Sequence, residues 1–398
     1  MDIPQVYEHP DPSSTLLPLL RPYLPYSLPL YRRIQFAHFT SSTRLLATIP
    51  PQPPQESIST SASTTDTTKI SSVHFCAAYI DRSRRPETES WLFLPDESNL
   101  HVSSHDHSRE MISTSATSNS PSSSACPTCH KHMLALLSHA GKTCPYPAIT
   151  PEDEKDIFAA VRASENDTTT TGTQQEQHQH TAASAPAYLT DLSDPSILKI
   201  GSLHSVAADF LATQGCAPSH LPGVGFPYRK YIFGNGGSHP LSLKLPSSLR
   251  FGVVREAHLA LVRSRTAIPR TNRTLRTLPS VAVFSENAIA ADGETADAQP
   301  ATLPIAWAFL SPDGSLASLH VEPEYRGMGI AKAVGAKLFK DEFEKFGDRL
   351  DGLAHADVAL DNVESNGVCR SLGGREVWEV YWIKVDLNRV REKLEETP

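Results

Sequence analysis

Apolar positions recur along this chain in short runs, and polar tracts rich in Ser and Thr separate them. In the first half, Leu16 to Leu20 and Tyr31 to Phe36 read as short helices broken by Pro18, Pro22, Pro25 and Pro29, since proline cannot continue a helix and pushes the residue before it toward extended backbone. Strand-like runs follow at Arg44–Ile49, Val73–Ile80 and Ser90–Leu94. Helices are predicted over 133–140 and 151–162, the second with Thr150 as cap, Pro151 at its first position and Glu152 and Asp153 in its first turn. Ile197–Ile200 reads as a strand and Ser205–Thr213 as a helix. Tyr228–Phe233 reads as a strand stopped by Gly-Asn-Gly-Gly at 234–237.

From about 238 the pattern is cleaner. A helix is expected over Val254–Arg265, then a Thr-rich connection with Arg263, Arg265, Arg270, Arg273 and Arg276. Strands are predicted at Ser280–Phe284, Ile305–Leu310 and Leu316–Val321. Gly329–Phe346 is predicted as an amphipathic helix, with Ile330, Val334, Leu338, Phe343 and Phe346 near helical spacing. Strand Ala356–Leu360, helix Val363–Leu372 and strand Glu376–Val385 complete the order β-β-β-α-β-α-β. That order implies an α/β (α+β) chain whose mixed sheet has a parallel crossover around the long helix.

Composition adds three constraints. Tracts at 50–68, 103–125 and 163–187 are dominated by Ser, Thr, Gln and Pro and hold too little apolar surface to offset the entropy of ordering; they are expected to be disordered loops. The balance of 36 basic against 44 acidic side chains, net −8, argues against bulk nucleic-acid binding but not against a local anion site. No apolar run is long enough to span a membrane, the start lacks a secretory pattern, and six cysteines are too few for a disulfide scaffold. A soluble, reducing, cytoplasmic or nuclear setting is the expectation.

The stretch that carries chemistry is Ser315-Leu-Ala-Ser-Leu-His-Val-Glu-Pro-Glu-Tyr-Arg-Gly-Met-Gly-Ile-Ala331, read as a strand, a tight turn and a helix start. Arg326, Gly329 and Ala331 have the spacing R-x-x-G-x-[GA]. Small residues there leave the amides of the first helical turn uncovered, and those amides with the helix dipole make an anion site. Glycine at 327 and 329 allows a pyrophosphate to approach the main chain.

This stretch resembles the signature V-x-P-x-Y-R-G-x-G-[IL]-[GA] of the GNAT superfamily of acyl-coenzyme A-dependent N-acyltransferases. A second stretch, Asn362-Val-Glu-Ser-Asn-Gly-Val-Cys-Arg-Ser-Leu-Gly-Gly374, is similar to that family's N-x-x-[AS]-x-x-x-[YC]-x-x-L-G segment. The clear resemblance covers about 240–387. The overall layout, and Leu-Pro-Tyr-Ser-Leu-Pro-Leu at 24–30, further resemble the glycine N-acyltransferase-like branch. That likeness implies two GNAT-like halves: a degenerate lobe over 1–236, without a cradle of its own, and a catalytic domain over 237–398. It also implies acetyl-CoA or another short acyl-CoA as cosubstrate and an amine as acceptor. The pantetheine would lie beside Leu319 and Val321, between strands 316–321 and 356–360. The pyrophosphate would rest on Arg326, Gly327, Met328, Gly329, Ile330 and Ala331. Asn362, which opens the second motif, is carried over with them.

Departures from the family pattern leave the proton transfers open. Where many relatives carry a general-base Glu, this chain has Ser315, with Asp313 in a turn before it. His320 and Glu322 are the candidate bases, weighed against a structural His320 or a water chain; an unperturbed imidazole titrates in the useful range. Cys369 replaces the usual acid Tyr and is read either as that acid or as a small core residue. The arginines from 263 to 276 form either a rim for an anionic ligand or a solvated loop. Trp307, Trp378 and Trp382 are read as core or acyl-channel residues. Cys126-Pro-Thr-Cys129-His-Lys-His132, with His139 and Cys144 beyond, resembles half a zinc site, but no metal is expected for the reaction. The leading function is acyl transfer to an amine by direct attack. A catalytically weak acyl-CoA-binding or scaffold protein is the alternative, and a protein-modifying enzyme in a larger assembly is a third. Neither nucleic acid nor membrane is expected as a partner.

Overall fold

The computed structural model describes residues 2–51, 73–99, 126–165, 192–217, 226–234, 244–266, 268–285, 302–343 and 350–396. The three tracts expected to be disordered lie outside these residues, apart from 50–51 and 163–165. Phe346 and most of the 234–237 turn also lie outside them.

Twelve described strands form two sheets. One has eight strands: β1 (Tyr7–Glu8), β2 (Thr43–Ala47), β3 (Ala77–Asp81), β4 (Ser90–Phe93), β5 (Ile197–His204), β6 (Pro227–Phe233), β11 (Ala354–Ala359) and β12 (Arg375–Asp386). The other has four: β7 (Leu249–Gly252), β8 (Ser280–Ser285), β9 (Ala306–Leu310) and β10 (Leu316–Val321). The large sheet runs β1-β2-β3-β4-β5-β12-β6-β11, with β4 and β5 parallel and its other pairs antiparallel. The small one runs β10-β9-β8-β7, antiparallel throughout. The expected α/β class, with mixed sheets flanked by helices, is what the structure has. Strand β12, from the second half, pairs with β5 on one side and β6 on the other, so it sits between two strands of the first half.

The helices are α1 (Pro12–Leu20), α2 (Leu28–Phe36), α3 (Asp96–Asn99), α4 (Pro127–Thr143), α5 (Pro151–Glu165), α6 (Ser205–Thr213), α7 (Leu259–Ser264), α8 (Asn272–Leu275), α9 (Ile330–Phe343), α10 (Val363–Ser371) and α11 (Leu387–Glu396). One apolar cluster packs α4, α6 and α11 on one face of the large sheet, and another packs α1 and α2 on the other face. A third joins the small sheet to α9 and β11, and a fourth covers the outer face of the small sheet with α7 and α8.

Several elements differ from the sequence reading. Helix α4 begins at Pro127, not 133, because Cys126 takes the cap position and Pro127 the first helical one, where its fixed φ suits a helix start. The helix expected over Val254–Arg265 divides into a 3-10 turn, Glu256–His258, and α7. Strand β7 and helices α8 and α11 were not expected at all. Helix α11 forms because Leu387, Val390 and Leu394 make a stripe that packs against α4, while the rest of its surface is charged.

Candidate functional site

Strand β10 lies at the edge of the small sheet, and its outer edge faces β11 of the large sheet. The two strands run parallel but touch as a ladder at one point only, the bridge between Ser315 and His355. Beyond it they part, leaving the main chain from Leu316 to Val321 without a strand partner on that side among the described residues. On its paired side β10 bulges: Ala317 faces Phe309 and His320 faces Trp307, so Ser318 and Leu319 together oppose Ala308. Ser318 takes a φ of 49°, the left-handed region. Such a bulge bends a strand and re-aims the residues after it.

At the wide end of this opening the chain turns through Pro323–Tyr325 and enters α9. Gly327 and Gly329 have φ of 77° and 76°, conformations costly for any residue with a Cβ. A Cβ built on either would meet no protein atom within 4 Å, so the space above both is open. The guanidinium of Arg326 is anchored back on the strand, its Nε donating to the Val321 carbonyl at 3.1 Å. Ile330 is buried under the helix start and pins it to the core. Open space over two left-handed glycines, at the amide end of a 14-residue helix, can accept a phosphate group.

His320 lies on the other face of the small sheet. Its ring stacks on buried Trp307, with centroids 4.7 Å apart and planes at 23°. Its Nε2 is 3.6 Å from Glu322 Oε2 and has no hydrogen-bond partner among the described residues. Burial lowers the His320 pKa, and the Arg326 and Arg265 charges act in the same direction against the raising effect of Glu322. Glu322 is itself held by Arg265, whose Nε is 3.1 Å from Oε1. The structure therefore brings His320 and Glu322 together.

Residues 3–231, more than half of the chain, match the family model described as the acyl-CoA N-acyltransferase verG N-terminal domain. The chain belongs to this verG family. Residues 300–383 of the verG-family chain also match the model of FR47-like proteins, and that span holds β10, the glycine turn and α9. No curated protein matches the chain significantly. Among solved structures it is similar to a Drosophila protein at 11% identity, covering 98% of this chain and 100% of that one with a TM-score of 0.47. It is also similar to a tandem GNAT protein from the clavulanic acid biosynthesis pathway, at 10% identity, 96% and 98% coverage and a TM-score of 0.43. A third likeness is to a GCN5-related N-acetyltransferase from Sphaerobacter thermophilus, at 12% identity, 51% and 65% coverage and a TM-score of 0.32.

Other residues singled out in the sequence of this verG-family chain lie elsewhere. Cys369 is 3% exposed in the cluster between α9 and β11 and is not brought to His320. Burial, with a contribution from Asp357, pushes its thiol up to about 12. Asn362 caps α10, its Oδ1 accepting the Ser365 amide at 2.9 Å. Asp313 is buried and accepts from Trp91 Nε1 at 3.0 Å and from the Ser315 hydroxyl at 2.7 Å. Burial alone would raise its carboxyl, but His355, Lys230 and the Ser315 bonds hold it below the usual carboxylate range. Most of the arginine rim is tied up: Arg263 pairs with Asp156, Arg273 with Asp153 and Arg276 with Glu256. Trp378 stacks on Tyr26, and Trp382 donates to Thr88. In the Cys motif, His132 Nδ1 lies 2.7 Å from the Thr48 hydroxyl, while Cys126 and Cys129 are met by His74. No spacing rule could have found His74, because a long stretch of chain separates it from the cysteine pair.

Among the described residues, no helix is long and apolar enough to cross a membrane.

Proposed function

We propose that the chain moves an acetyl or other short acyl group from coenzyme A to an amine by direct attack. The observation that carries this reading is the parting of β10 from β11 above a turn with two left-handed glycines. The acyl-CoA pyrophosphate rests on the amides of 327–331, beside Arg326. The pantetheine runs along the unpaired edge of β10 by Leu319 and Val321, where main-chain groups replace a missing strand. The thioester carbonyl then lies near the bulge at Ser318, where an amide stabilises its developing charge. Asn362 contributes by holding the start of α10 beside the gap.

His320 takes the proton of the attacking amine, directly or through one water, and Glu322 steadies the imidazolium that results. A thiol pushed up to about 12 is a weaker acid than the coenzyme thiol it would serve, so Cys369 is a poor donor. The leaving thiolate therefore departs unprotonated into solvent. The likeness to the glycine N-acyltransferase-like branch belongs to this reading. It is supported by a first half in which the described residues hold no glycine cradle, ahead of a second half that has one, with the boundary near 236. A cytoplasmic or nuclear site of action fits six free cysteines.

The test is thiol release from acetyl-CoA in the presence of a panel of primary amines. Turnover with at least one amine, abolished without acceptor, is the expected result. Coenzyme binding without turnover on any acceptor would turn the reading into that of an acyl-CoA-binding scaffold.

A further inference from the structure

Far from the glycine turn, the cap of α4 carries a cluster the acyl-transfer reading does not use. Cys126 takes the cap position and Cys129 lies in the first turn, so both sulfurs point to one side of the helix start. His74, on the segment that leads into β3, lies beside them. Its Nδ1 lies 3.3 Å from each sulfur, and the three donor atoms all lie within 4.8 Å of one another. Asp96 fixes the turn from the far side by accepting the Cys126 amide at 2.7 Å.

We propose that Cys126, Cys129 and His74 bind one zinc ion. Two thiolates and an imidazole are a donor set that selects zinc over the hard cations magnesium and calcium. Tetrahedral zinc with Zn–S near 2.3 Å and Zn–N near 2.0–2.1 Å places sulfur and nitrogen about 3.5 Å apart. The observed 3.3 Å therefore needs only a small adjustment. Cys129 is buried, Cys126 half-buried and His74 exposed, so the ion enters from the His74 side and keeps a water in its fourth position.

The ion acts as a clip. One ligand precedes β3 and the other two open α4. Joining them fixes α4 to β3 and closes the chain between 74 and 126, the kind of long closure that a metal stabilises most. His132, bonded to Thr48, and Cys144, at the far end of α4, are not ligands.

The experiment is metal analysis of the full chain purified without chelator, with a cobalt(II) titration of the metal-stripped protein. About one equivalent of zinc is expected, and cobalt should give tetrahedral ligand-field bands with a thiolate charge-transfer band, saturating at about one equivalent. Cys126→Ser and His74→Ala should each lower bound metal at least about tenfold, while His132→Ala keeps it. His74 is exposed, so its replacement leaves the core intact, and the cobalt titration needs no variant. Three results overturn the proposal: no zinc together with no thiolate–cobalt band, metal content unchanged in His74→Ala, or metal lost in His132→Ala. A Cys126–Cys129 disulfide that, once reduced, takes up no metal also overturns it and makes the pair a redox dithiol.

Discussion

Replacing Gly329 with alanine separates the cost to the fold from the cost to the coenzyme. The residue sits at φ 76°, and a Cβ there would meet no protein atom within 4 Å. The folded protein therefore pays only for an L residue in the left-handed region, about 1–2 kcal/mol. The coenzyme loses more specifically. The new methyl group fills the space through which a phosphate oxygen reaches the helix-start amides. Losing one charge-assisted hydrogen bond costs about 1.5–3 kcal/mol, a rise in Kd of roughly ten- to hundredfold. Urea unfolding of the free protein measures the first quantity. Calorimetric titration with coenzyme A, and in parallel with pantetheine, measures the second. Pantetheine lacks the pyrophosphate, so its affinity should be unchanged while that of coenzyme A falls. Unchanged coenzyme A binding, or an equal loss for pantetheine, would show that the pyrophosphate does not rest on this turn.

Three further outcomes follow from the geometry. Burial and the nearby arginines lower the His320 pKa, so at saturating amine the acid limb of kcat due to His320 should lie below about pH 6.5; His320→Ala should lose that limb and about 10²–10⁴-fold in kcat, and a full rate from about pH 6 to 9 would make His320 structural. Cys369→Ala should change kcat by less than about threefold, since a thiol at about 12 donates poorly; a large loss together with the disappearance of an alkaline limb shown by the unmodified protein would restore Cys369 as the acid. Lys230 Nζ lies 2.6 Å from Asp357 Oδ1 with both side chains buried, so Lys230→Met should cost about 3–5 kcal/mol in chemical denaturation by stranding a buried carboxylate. Adding Asp357→Leu should recover most of that loss, and a single-variant cost below about 1 kcal/mol would count against the pairing.

The second half of the chain was legible where local periodicity and function coincide. Strand Leu316–Val321 stands as the sequence pattern predicts, helix α10 ends one residue short of its predicted span, and the glycine turn stands between a strand and a helix as its motif requires. What could not be read depends on partners distant in sequence. Strand β6 reads Pro-Tyr-Arg-Lys-Tyr-Ile-Phe, and nothing within it shows that β11 and β12 will flank it. The left-handed Ser318 carries no signal, because serine is ordinary in a strand and the bulge is set by how β10 meets β9. Asp313 is read from the sequence only as a residue of a Ser-Pro-Asp-Gly turn. The structure buries it because Trp91, from the other half, supplies a donor. The paired arginines were visible as charge, but Asp153 and Asp156, the partners of two of them, come from α5, more than a hundred residues earlier.

The placement of β12 between β5 and β6 has a consequence for how the chain reaches its native state. Strand β12 (Arg375–Asp386) is made only after every other described strand of both sheets. During synthesis β5 has β4 on one side and an open edge on the other, and β6 has no strand at all until β11 emerges. Both edges stay unpaired until β12 has been made, so the two halves cannot be completed one after the other. Pairings of such long sequence separation fold slowly and leave sticky edges uncovered meanwhile. Premature termination before 375 would thus spoil the first half as well as the second, and production of intact protein should depend on chaperones more than its size alone requires.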